Sequence, residues 1–495
     1  MASASVHDLK ALVLSFHSLI AIETVEEERV RAILRSVATD LRLPMFEWSV
    51  TTGFSRILGT PVGETEEPLA VLRHMNELTA DEAIFLLKDF APHLGNATVA
   101  RALRELAQKM TNSRSAIVLT GDPLELPRDL ETLAVRVELE LPGERELRAL
   151  VRQVVEALTP RQRVDIDLTR EQAQQLVGSL SGLTLHQARR VVAQAIVEDG
   201  RLTVTDIDKV IRWKGEIIEG GGVLEFIPPE ANHSELGGFE NLKRWLDRSR
   251  TGFTPEARAM NLAPPKGLLL AGVQGCGKSL AAKFVAKSWK LPLLKLDAGR
   301  LYDKYVGESE RNFRRATLIA EAMAPVVLWI DEIEKAFASG GSADVDGGLS
   351  QRLFASFLTW LQEKKQGVFV VGAANDLTRL PPELLRKGRF DEIFFVDLPN
   401  RSERATILSI HLRLRKQDAA AIDLDPVVEA TEGFSGAELE QAVISALYRA
   451  LHEREALTAT RLLEAVQSTV PLSRSRREDV ERTRAFAAAR FTPVA

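Results

Sequence analysis

The sequence predicts an α/β protein in which two modules each carry a parallel sheet covered by helices. The first observation is that short apolar runs alternate with helical patterns in the first half of the chain. The second observation is that the same alternation returns in the second half of the chain. Such alternation favours parallel strands joined by crossover helices. The third observation is that strand-like runs stop near Arg401, after which helical periodicity takes over. We therefore expect a second sheet of five strands with helices on both faces, followed by a helical subdomain.

The elements can be placed along the chain from these patterns. The strands predicted for the first half are 19–22, 84–87, 116–119 and 135–141. The clearest helical patterns of that half are 26–41, 98–110 and 144–158. The strands predicted for the second half are 267–270, 293–296, 326–330, 368–372 and 393–397.

A cluster of breaker residues divides the chain. Gly220–Gly222 and Pro228–Pro229 lie between two long patterned halves, so we place a linker there. The predicted divisions are a first module at 1–214 (α/β core about 1–142, helical part about 143–214), the linker at 215–234, an α/β subdomain at 235–399 and a helical subdomain at 400–495.

Composition narrows the classes of function. Acidic residues number 69 and basic residues 64, so no field of one sign is available to hold nucleic acid. The single cysteine, Cys276, excludes an intramolecular disulfide framework and a cysteine-based zinc site. The N-terminus lacks the pattern of a signal peptide, and the apolar runs fall short of the roughly 18 residues that span a bilayer. We expect a cytoplasmic protein without membrane insertion.

The segment Gly272–Ser279 has the spacing of a phosphate-binding loop. It reads Gly-Val-Gln-Gly-Cys-Gly-Lys-Ser, between a strand and a helical run. Glycines let backbone N–H groups converge on phosphates at the start of a helix, whose dipole also favours anions. Lys278 is expected to bridge the β- and γ-phosphates of ATP, and the Ser279 hydroxyl to ligate Mg²⁺. The predicted nucleotide contacts of this segment are Gly272, Gly275, Cys276, Gly277, Lys278, Ser279 and Leu280.

The apolar run Val326–Ile330 delivers two carboxylates, Asp331 and Glu332, at its carboxyl end. The first can hold the magnesium shell, and the second can polarise an attacking water. A strand that ends in Asp-Glu is common and is often structural. Its position about 50 residues after a phosphate-binding loop indicates instead that the pair works on ATP.

The two halves also resemble one another. Leu119–Asp122 resembles Gly372–Asp376. Ser181–Thr184 resembles Glu432–Ser435, and both of these segments precede a helical pattern. These and further weak matches share one order and an offset of roughly 250 residues. They favour a duplicated nucleotide-binding fold. The alternative is an unrelated α/β domain whose strands end in common residues.

From about Glu235 to the C-terminus, the chain resembles the AAA family of ATPases. Leu236–Phe239 looks like the family's first segment, which lines the adenine pocket. Gly433–Glu438 looks like the start of its helical lid, near adenine and ribose. Asn375 occupies the sensor position, which orients the attacking water. The further nucleotide-binding residues that the resemblance implies are Gly237, Gly436 and Ala437.

Another part of the resemblance concerns a protein substrate. Lys304–Glu310 looks like the family's first pore loop, in which an aromatic residue grips a translocating polypeptide. The resemblance implies that Tyr305 and Val306 contact an unknown client protein. The alternative is that Tyr305 is an ordinary aromatic residue of a loop.

Leu384–Asp391 resembles the arginine-finger segment of the family. The resemblance implies that Arg386 and Arg389 act on ATP bound to a neighbouring subunit, and therefore that the chain forms a ring, with a hexamer expected. Charge supplied in trans can raise the rate by roughly 10³-fold or more, so a monomer should be nearly inactive. The alternative is that both arginines are solvated charges.

Parts of the chain resemble an uncharacterised AAA reading-frame family of cyanobacteria, other bacteria and red-algal plastids. The segments that carry this resemblance are Thr24–Arg29, Trp329–Lys335, the region of Trp360, and Leu380–Asp391. A plastid member would lie in a stroma-like compartment. Thr359–Lys365 departs from the wider family, since many members have an Asp-Gly signal there that couples neighbouring subunits.

The first half lacks the chemistry of the second. Where the repeat would place a phosphate-binding loop, the chain reads Ile22–Arg29, with no glycine and three consecutive glutamates. These carboxylates would repel phosphate at a helix N-terminus. Lys88-Asp89 replaces the Asp-Glu pair. We therefore expect a degenerate AAA-like module that does not hydrolyse ATP and serves assembly or recruitment.

The sequence leaves two functions open. The first is an oligomeric ATPase that remodels or unfolds a protein, with one active ATP site per chain. The second is an ATP-dependent regulatory scaffold that threads no substrate. A nucleic-acid remodeller is disfavoured because the basic stretches, such as Arg311–Arg315, are short. Cys276 is either a small neutral residue of the loop or a redox switch.

Overall fold

The protein is described by a computed structural model over residues 2–3, 5–56, 59, 62–78, 82–160, 164–229, 235–301, 308–336, 349–364, 367–386, 388–488 and 490–495. The chain forms two compact units, the first of residues 1–150 with 183–190, and the second of residues 151–182 with 191–495. Within the described ranges, no helix is both long and apolar enough to cross a membrane. Tyr305 and Val306, the predicted pore-loop residues, lie outside these ranges.

The first unit is built on a seven-stranded sheet. Its strands are β1 (Ala2–Ser3), β2 (Leu19–Glu23), β3 (Met45–Ser49), β4 (Gly53–Arg56), β5 (Ile84–Lys88), β6 (Ala116–Gly121) and β7 (Ala134–Glu138). They lie in the order β1-β7-β2-β6-β5-β3-β4, and neighbours are parallel except for β3 and β4. Residues 19–22 of β2 alternate between two apolar clusters, so both faces of the strand are covered, and these four residues are all apolar and buried.

Helices follow the strands of the first half. They are α1 (Val6–Leu14), α2 (Glu27–Leu41), α3 (Pro68–Glu77), α4 (Ala97–Lys109), α5 (Arg128–Glu131) and α6 (Glu144–Leu158). The chain continues through α7 (Arg170–Ser179), α8 (Leu185–Asp199) and α9 (Val204–Gly220). Two short strands, β8 (Asp165–Asp167) and β9 (Arg201–Thr203), pair in parallel.

The second unit contains another seven-stranded sheet. Its strands are β10 (Leu224–Ile227), β11 (Gly267–Gly272), β12 (Leu293–Leu296), β13 (Val326–Ile330), β14 (Val368–Ala374), β15 (Glu392–Val396) and β16 (Thr492–Pro493). They lie in the order β10-β12-β13-β14-β11-β15-β16, with only β10 antiparallel to its neighbour. β11, β13 and β14 are buried at every residue, as parallel strands between two helical layers should be.

The helices of the second sheet bracket these strands. They are α10 (Glu240–Ser249), α11 (Pro255–Ala259), α12 (Lys278–Trp289), α13 (Ala298–Leu301), α14 (Glu308–Ala322), α15 (Ile333–Ala336) and α16 (Leu349–Glu363). The helical subdomain contains α17 (Arg401–Leu414), α18 (Asp425–Ala430), α19 (Gly436–Glu453) and α20 (Ala459–Gln467), around an apolar cluster of its own. The chain ends with α21 (Leu472–Ser475), α22 (Arg477–Ala487) and β16.

The two sheets share one topology. Their central five strands lie in the orders β7-β2-β6-β5-β3 and β15-β11-β14-β13-β12, which are the same order when each set is numbered along the chain. Asp89 and Glu332, which follow the ends of β5 and β13 closely, also share a left-handed backbone, with φ of +49° and +48°. This agreement supports the duplicated fold that the sequence predicts.

The structure differs from two predicted boundaries. Residues 215–220 continue α9, and β10 joins the second sheet, so most of the described part of the predicted linker is regular structure. At the other end, β16 pairs with β15 rather than remaining with the helical subdomain. Both strands are short and pair with residues distant in sequence, so local patterns do not reveal them. They extend the predicted sheet of five parallel strands to seven strands, of which β10 is antiparallel and β16 is parallel to its neighbour.

Candidate nucleotide site

The predicted phosphate-binding loop connects β11 to α12. At Gly272, a Cβ atom would lie 2.1 Å from the carbonyl oxygen of Val396 on the neighbouring strand. Gly275 and Gly277 have φ angles of +77° and +92°, which strain any residue with a side chain. The backbone path therefore requires glycine at all three positions. The path also brings the loop back to the N-terminus of α12, where phosphate binds most favourably.

Lys278 is the first residue of α12, and its side chain is buried. Its Nζ donates to the carbonyl oxygens of Gly272 at 2.9 Å and Val273 at 2.7 Å. Burial lowers the pKa of Lys278 to about 8. A phosphate at the loop would give this ammonium a charged partner in place of neutral carbonyls, so the site fits an anion.

Ser279 and Asp331 lie opposite each other at the ends of α12 and β13. Ser279 Oγ is 3.5 Å from Asp331 Oδ2, and Asp331 Oδ1 accepts the backbone N–H of Glu332 at 3.1 Å. Burial raises the pKa of Asp331. A cation beside a desolvated carboxylate would favour its charged form. A hydroxyl and a carboxylate beside a phosphate-binding loop match the protein ligands that Mg²⁺ takes next to phosphates.

Glu332 follows Asp331 in the left-handed conformation described above. Its Oε2 lies 2.7 Å from Lys335 Nζ, and its side chain is 40% exposed. The lysine partner is more exposed still, so the pair is weakly held and the carboxylate can exchange its partner for water. A non-glycine residue in this conformation is strained, and such strain is concentrated at functional sites.

Asn375 follows β14, and its backbone is held by a residue that sequence reasoning missed. Glu334 Oε1 accepts the N–H of Asn375 at 3.0 Å, and its side chain is buried. Glu334 Oε2 has no hydrogen-bond partner among the described residues. Burial raises the pKa of Glu334, while the N–H groups of Asn375 and Asp376 oppose that rise. The available signal was one more acid two positions after Glu332.

These residues open onto one cavity of about 540 Å³. Gly272 and Arg386 do not line it, but most of the predicted nucleotide set does. The predicted residues in its lining are Gly237, Gly275, Cys276, Gly277, Lys278, Ser279, Leu280, Asp331, Glu332, Asn375, Gly436 and Ala437. Leu236 and Phe239 also line it, and both belong to the segment that the resemblance places at the adenine pocket. The lining residues that the sequence analysis did not assign to the site are Glu235, Gln274, Ile407, Ile410, His411, Leu414 and Glu440. The volume and the apolar wall suit a purine nucleotide.

The helical subdomain closes one side of this cavity. Ser435 and Glu438 form a capping box at the start of α19, and the N–H of Ala437 donates to the carbonyl oxygen of Gly275 at 2.9 Å. This bond joins the subdomain directly to the loop. His411, on α17, lies 3.6 Å from Glu440 and has a pKa lowered chiefly by burial.

Cys276 lies within the loop and is 7% exposed. Burial raises the pKa of its thiol to about 12. The thiolate is the form that reacts with oxidants, and at neutral pH it would hardly be populated. The geometry therefore favours the small neutral residue over the redox switch.

The two predicted arginine fingers differ in their surroundings. Arg386 is exposed, and no partner for its side chain occurs among the described residues. Arg389 is half-buried and donates from Nη1 to the carbonyl oxygen of Leu358 on α16 at 3.0 Å. Neither residue lines the cavity of its own chain. Arg386 is thus available to another molecule, and Arg389 fixes the segment to α16.

Comparisons with known families cover most of the chain. Residues 268–398 match the ATPase family associated with various cellular activities (AAA), and residues 421–463 match the AAA+ lid domain. Residues 5–139 match the N-terminal domain of SpoVK-like AAA ATPases, and residues 145–221 match their second domain.

Curated relatives extend over the full length. The uncharacterized AAA domain-containing protein ycf46 of Guillardia theta is 36% identical over 487 residues, which are 98% of this chain and 95% of that protein. The protein of the same name from Pyropia yezoensis is 36% identical over 483 residues, or 97% of each chain. The ATPase family protein 2 homolog of Caenorhabditis elegans is 35% identical over 246 residues, which are 48% of this chain and 34% of that protein.

Proposed function

The chain belongs to the AAA ATPase family, and on that premise we propose that its second half hydrolyses Mg²⁺-bound ATP at one site per chain. The observation that carries the proposal is that residues following three different strands line one cavity. Lys278 follows β11, Glu332 follows β13 and Asn375 follows β14. The carboxyl ends of parallel strands are where open α/β sheets bind ligands.

Each side chain has a distinct part in this proposal. Lys278 would exchange its carbonyl partners for phosphate oxygens. Ser279 and Asp331 would hold Mg²⁺, which when bound neutralises phosphate charge. Glu332 would leave Lys335 and polarise the attacking water, while Asn375 would fix the position of that water.

We further propose that the working unit is a ring, expected to be a hexamer. The support is that Arg386 is exposed and does not line the cavity of its own chain, so it would contact ATP at the site of another subunit. In such a ring, Tyr305 and Val306 would grip a protein client, and the first half would select it.

The test of ATP chemistry is Glu332→Gln, which keeps the size of the side chain and removes its charge. ATP should bind with nearly unchanged affinity, while turnover should fall by at least about 10²-fold. Glu363→Gln, at an exposed position of α16, is the matched control and should keep full activity. Equal turnover in wild type and Glu332→Gln would contradict the proposal. The same ATP-trapped variant should retain clients in a pull-down and show the ring by electron microscopy.

The test of client remodelling is Tyr305→Ala. Basal hydrolysis should stay largely intact while remodelling is abolished; loss of both, or of neither, would count against a pore role. Tight ATP binding with very slow turnover and no stimulation by protein would favour the ATP-dependent scaffold.

A further inference from the structure

The first unit has a counterpart of the nucleotide site in which acidic residues begin the helix and a basic residue ends the strand, the reverse of the second unit. After β2, α2 begins with Glu27 and Glu28, where α12 begins with Lys278 and Ser279 after β11. Lys88 ends β5, and its Nζ lies 3.6 Å from Glu28 Oε1. In the second unit, Asp331 follows β13 and faces Ser279 at 3.5 Å. The second residue of the helix thus meets the end of the same strand in both units, but in the first unit the strand supplies the cation.

The ammonium of Lys88 is held by two carboxylates. Besides Glu28, it lies 3.3 Å from Glu47 Oε2 on β3, and the side chains of Lys88 and Glu47 are only 17% and 16% exposed. Arg31 Nε also lies 3.0 Å from Glu47 Oε2. In the second unit, the residues at the start of the helix and the end of the strand are Ser279 and Asp331, which we propose to hold Mg²⁺. The first unit has a side-chain cation, Lys88, beside the start of its helix.

The carboxylate of Glu26 occupies the counterpart of the loop. Its Oε1 accepts the backbone N–H of Leu185 at 2.7 Å, and its Oε2 lies 3.4 Å from Arg29 Nη1. Both side chains are less than a tenth exposed. Leu185 begins α8, so a negative charge sits at the positive end of this helix, where a charge-assisted bond is strong.

This contact has a counterpart at the nucleotide site. By the sequence repeat, Leu185 corresponds to Gly436, next to Ala437, whose N–H binds the loop of the second unit. In the first unit a side chain makes the equivalent connection.

Two more carboxylates complete the arrangement. Glu27 Oε1 lies 3.2 Å from Thr120 Oγ1, and burial together with the charge of Asp89 raises the pKa of Glu27. An incoming phosphate would meet these acids as well as Glu26 and Glu28. Like charges at such distances in a partly buried site oppose binding.

We propose that the first unit is a self-liganded copy of the nucleotide fold, in which carboxylates of Glu26 to Glu28 replace phosphate and the ammonium of Lys88 replaces the metal ion. Segment 183–190 is held on the sheet permanently by Glu26. The chain therefore combines one module that responds to ATP with one whose arrangement is fixed by its own side chains.

Hydrogen exchange of the full-length chain, with and without Mg-ATP, tests this proposal. Segment 183–190 should exchange slowly without nucleotide and should not change when Mg-ATP is added, whereas segment 433–440 should gain protection. Glu26→Ala should speed exchange of 183–190 by about tenfold, since it removes the acceptor of the partly buried N–H of Leu185, and ATP should not restore the slow exchange. Glu26→Gln retains an acceptor and should lose less protection. Glu64→Ala, at an exposed position of the same unit, is the control.

Lys88 provides an independent measurement. Lys88→Met should lower the midpoint of thermal unfolding by about 2–6 °C because Glu47 loses one of its two cationic partners and keeps only Arg31, and Lys88→Arg should recover most of that loss. Equal unfolding of Lys88→Met and wild type would overturn the role of the ammonium.

Two results would overturn the role of the carboxylates. The first is protection of 183–190 by ATP in Lys278→Ala, in which the second site is disabled. The second is unchanged exchange of 183–190 in Glu26→Ala. If hydrogen exchange of segment 433–440 did not change on addition of Mg-ATP, only the proposed ATP hydrolysis in the second unit would be contradicted.

Discussion

Glu334 Oε1 accepts the backbone N–H of Asn375 at 3.0 Å, and this bond joins the turn after β13 to the end of β14. The strand that delivers Asp331 and Glu332 is therefore tied directly to the residue proposed to place the attacking water. Glu334 does not line the cavity, so we propose that it acts on the site by positioning Asn375.

Replacement of Glu334 should therefore separate catalysis from binding. We expect Glu334→Ala to lower kcat by about tenfold with KM for ATP nearly unchanged, since the shifted amide serves the transition state. Glu334→Gln retains an acceptor and should recover most of the activity. The double variant with Asn375→Ala should be no slower than Asn375→Ala alone. Additive losses would show that the two residues act separately.

The pKa of Lys278 predicts how ATP binding depends on pH. In the free site this pKa is about 8, and phosphate favours the charged ammonium, so binding above pH 8 takes up a proton. We expect the Kd for ATP to be nearly constant about one pH unit below the pKa and to rise as the pH passes 8, by at most about tenfold per pH unit. Isothermal titration in buffers of different ionisation enthalpy would measure both the affinity and the proton uptake.

A second buried lysine serves as the control for this pH dependence. Burial also lowers the pKa of Lys364 to about 8, but Lys364 does not line the cavity. Lys364→Met should keep the wild-type profile. If the Kd for ATP no longer depended on pH in Lys364→Met, the pH dependence would come from Lys364 and not from Lys278.

Arg386 and Arg389 should behave differently when each is replaced. Arg386→Ala should lose roughly 10³-fold or more of the ATPase rate without loss of stability, because its exposed side chain has no hydrogen-bond or ion-pair partner among the described residues. Mixing Arg386→Ala with Glu332→Gln should recover activity. In a mixed ring, an Arg386→Ala subunit retains Glu332, and its Glu332→Gln neighbour supplies the arginine to that site. Failure of the mixture to exceed its components would contradict action in trans.

Arg389→Ala should instead reduce stability. Its Nη1 binds the carbonyl oxygen of Leu358, and loss of that bond in a half-buried place should cost about 1–3 kcal/mol of unfolding free energy. Denaturant unfolding would measure this cost. An Arg389→Ala variant with unchanged stability and no activity would assign Arg389 to catalysis as well.

Oxidation should not regulate the loop through Cys276. The pKa of its buried thiol is raised to about 12, so little reactive thiolate is present at neutral pH. ATPase activity in mild peroxide should therefore fall equally, if at all, in wild type and Cys276→Ser. If peroxide lowered the activity of wild type but not of Cys276→Ser, Cys276 would act as a redox switch.

Much of the fold was predictable because its signals are local. β12 and β13 have the predicted bounds, and the family matches confirm the predicted resemblance. The support for the duplication is weaker in the sequence than in the structure, because the two sheets share their strand order but few of their side chains. β10 and β16 escaped prediction, since each is defined by a partner far away in the chain.

The sequence by itself determined the chemistry of the loop, because the spacing from Gly272 to Ser279 is fixed by backbone geometry that only glycine permits. It also showed that Glu26–Glu28 cannot form such a loop. Only the tertiary structure decided what those glutamates do instead. Glu26 meets Leu185, and Lys88 meets Glu28 and Glu47, across sequence separations that no local pattern spans. A charge in sequence has a sign, but its partner is set by which strands and helices the fold brings together.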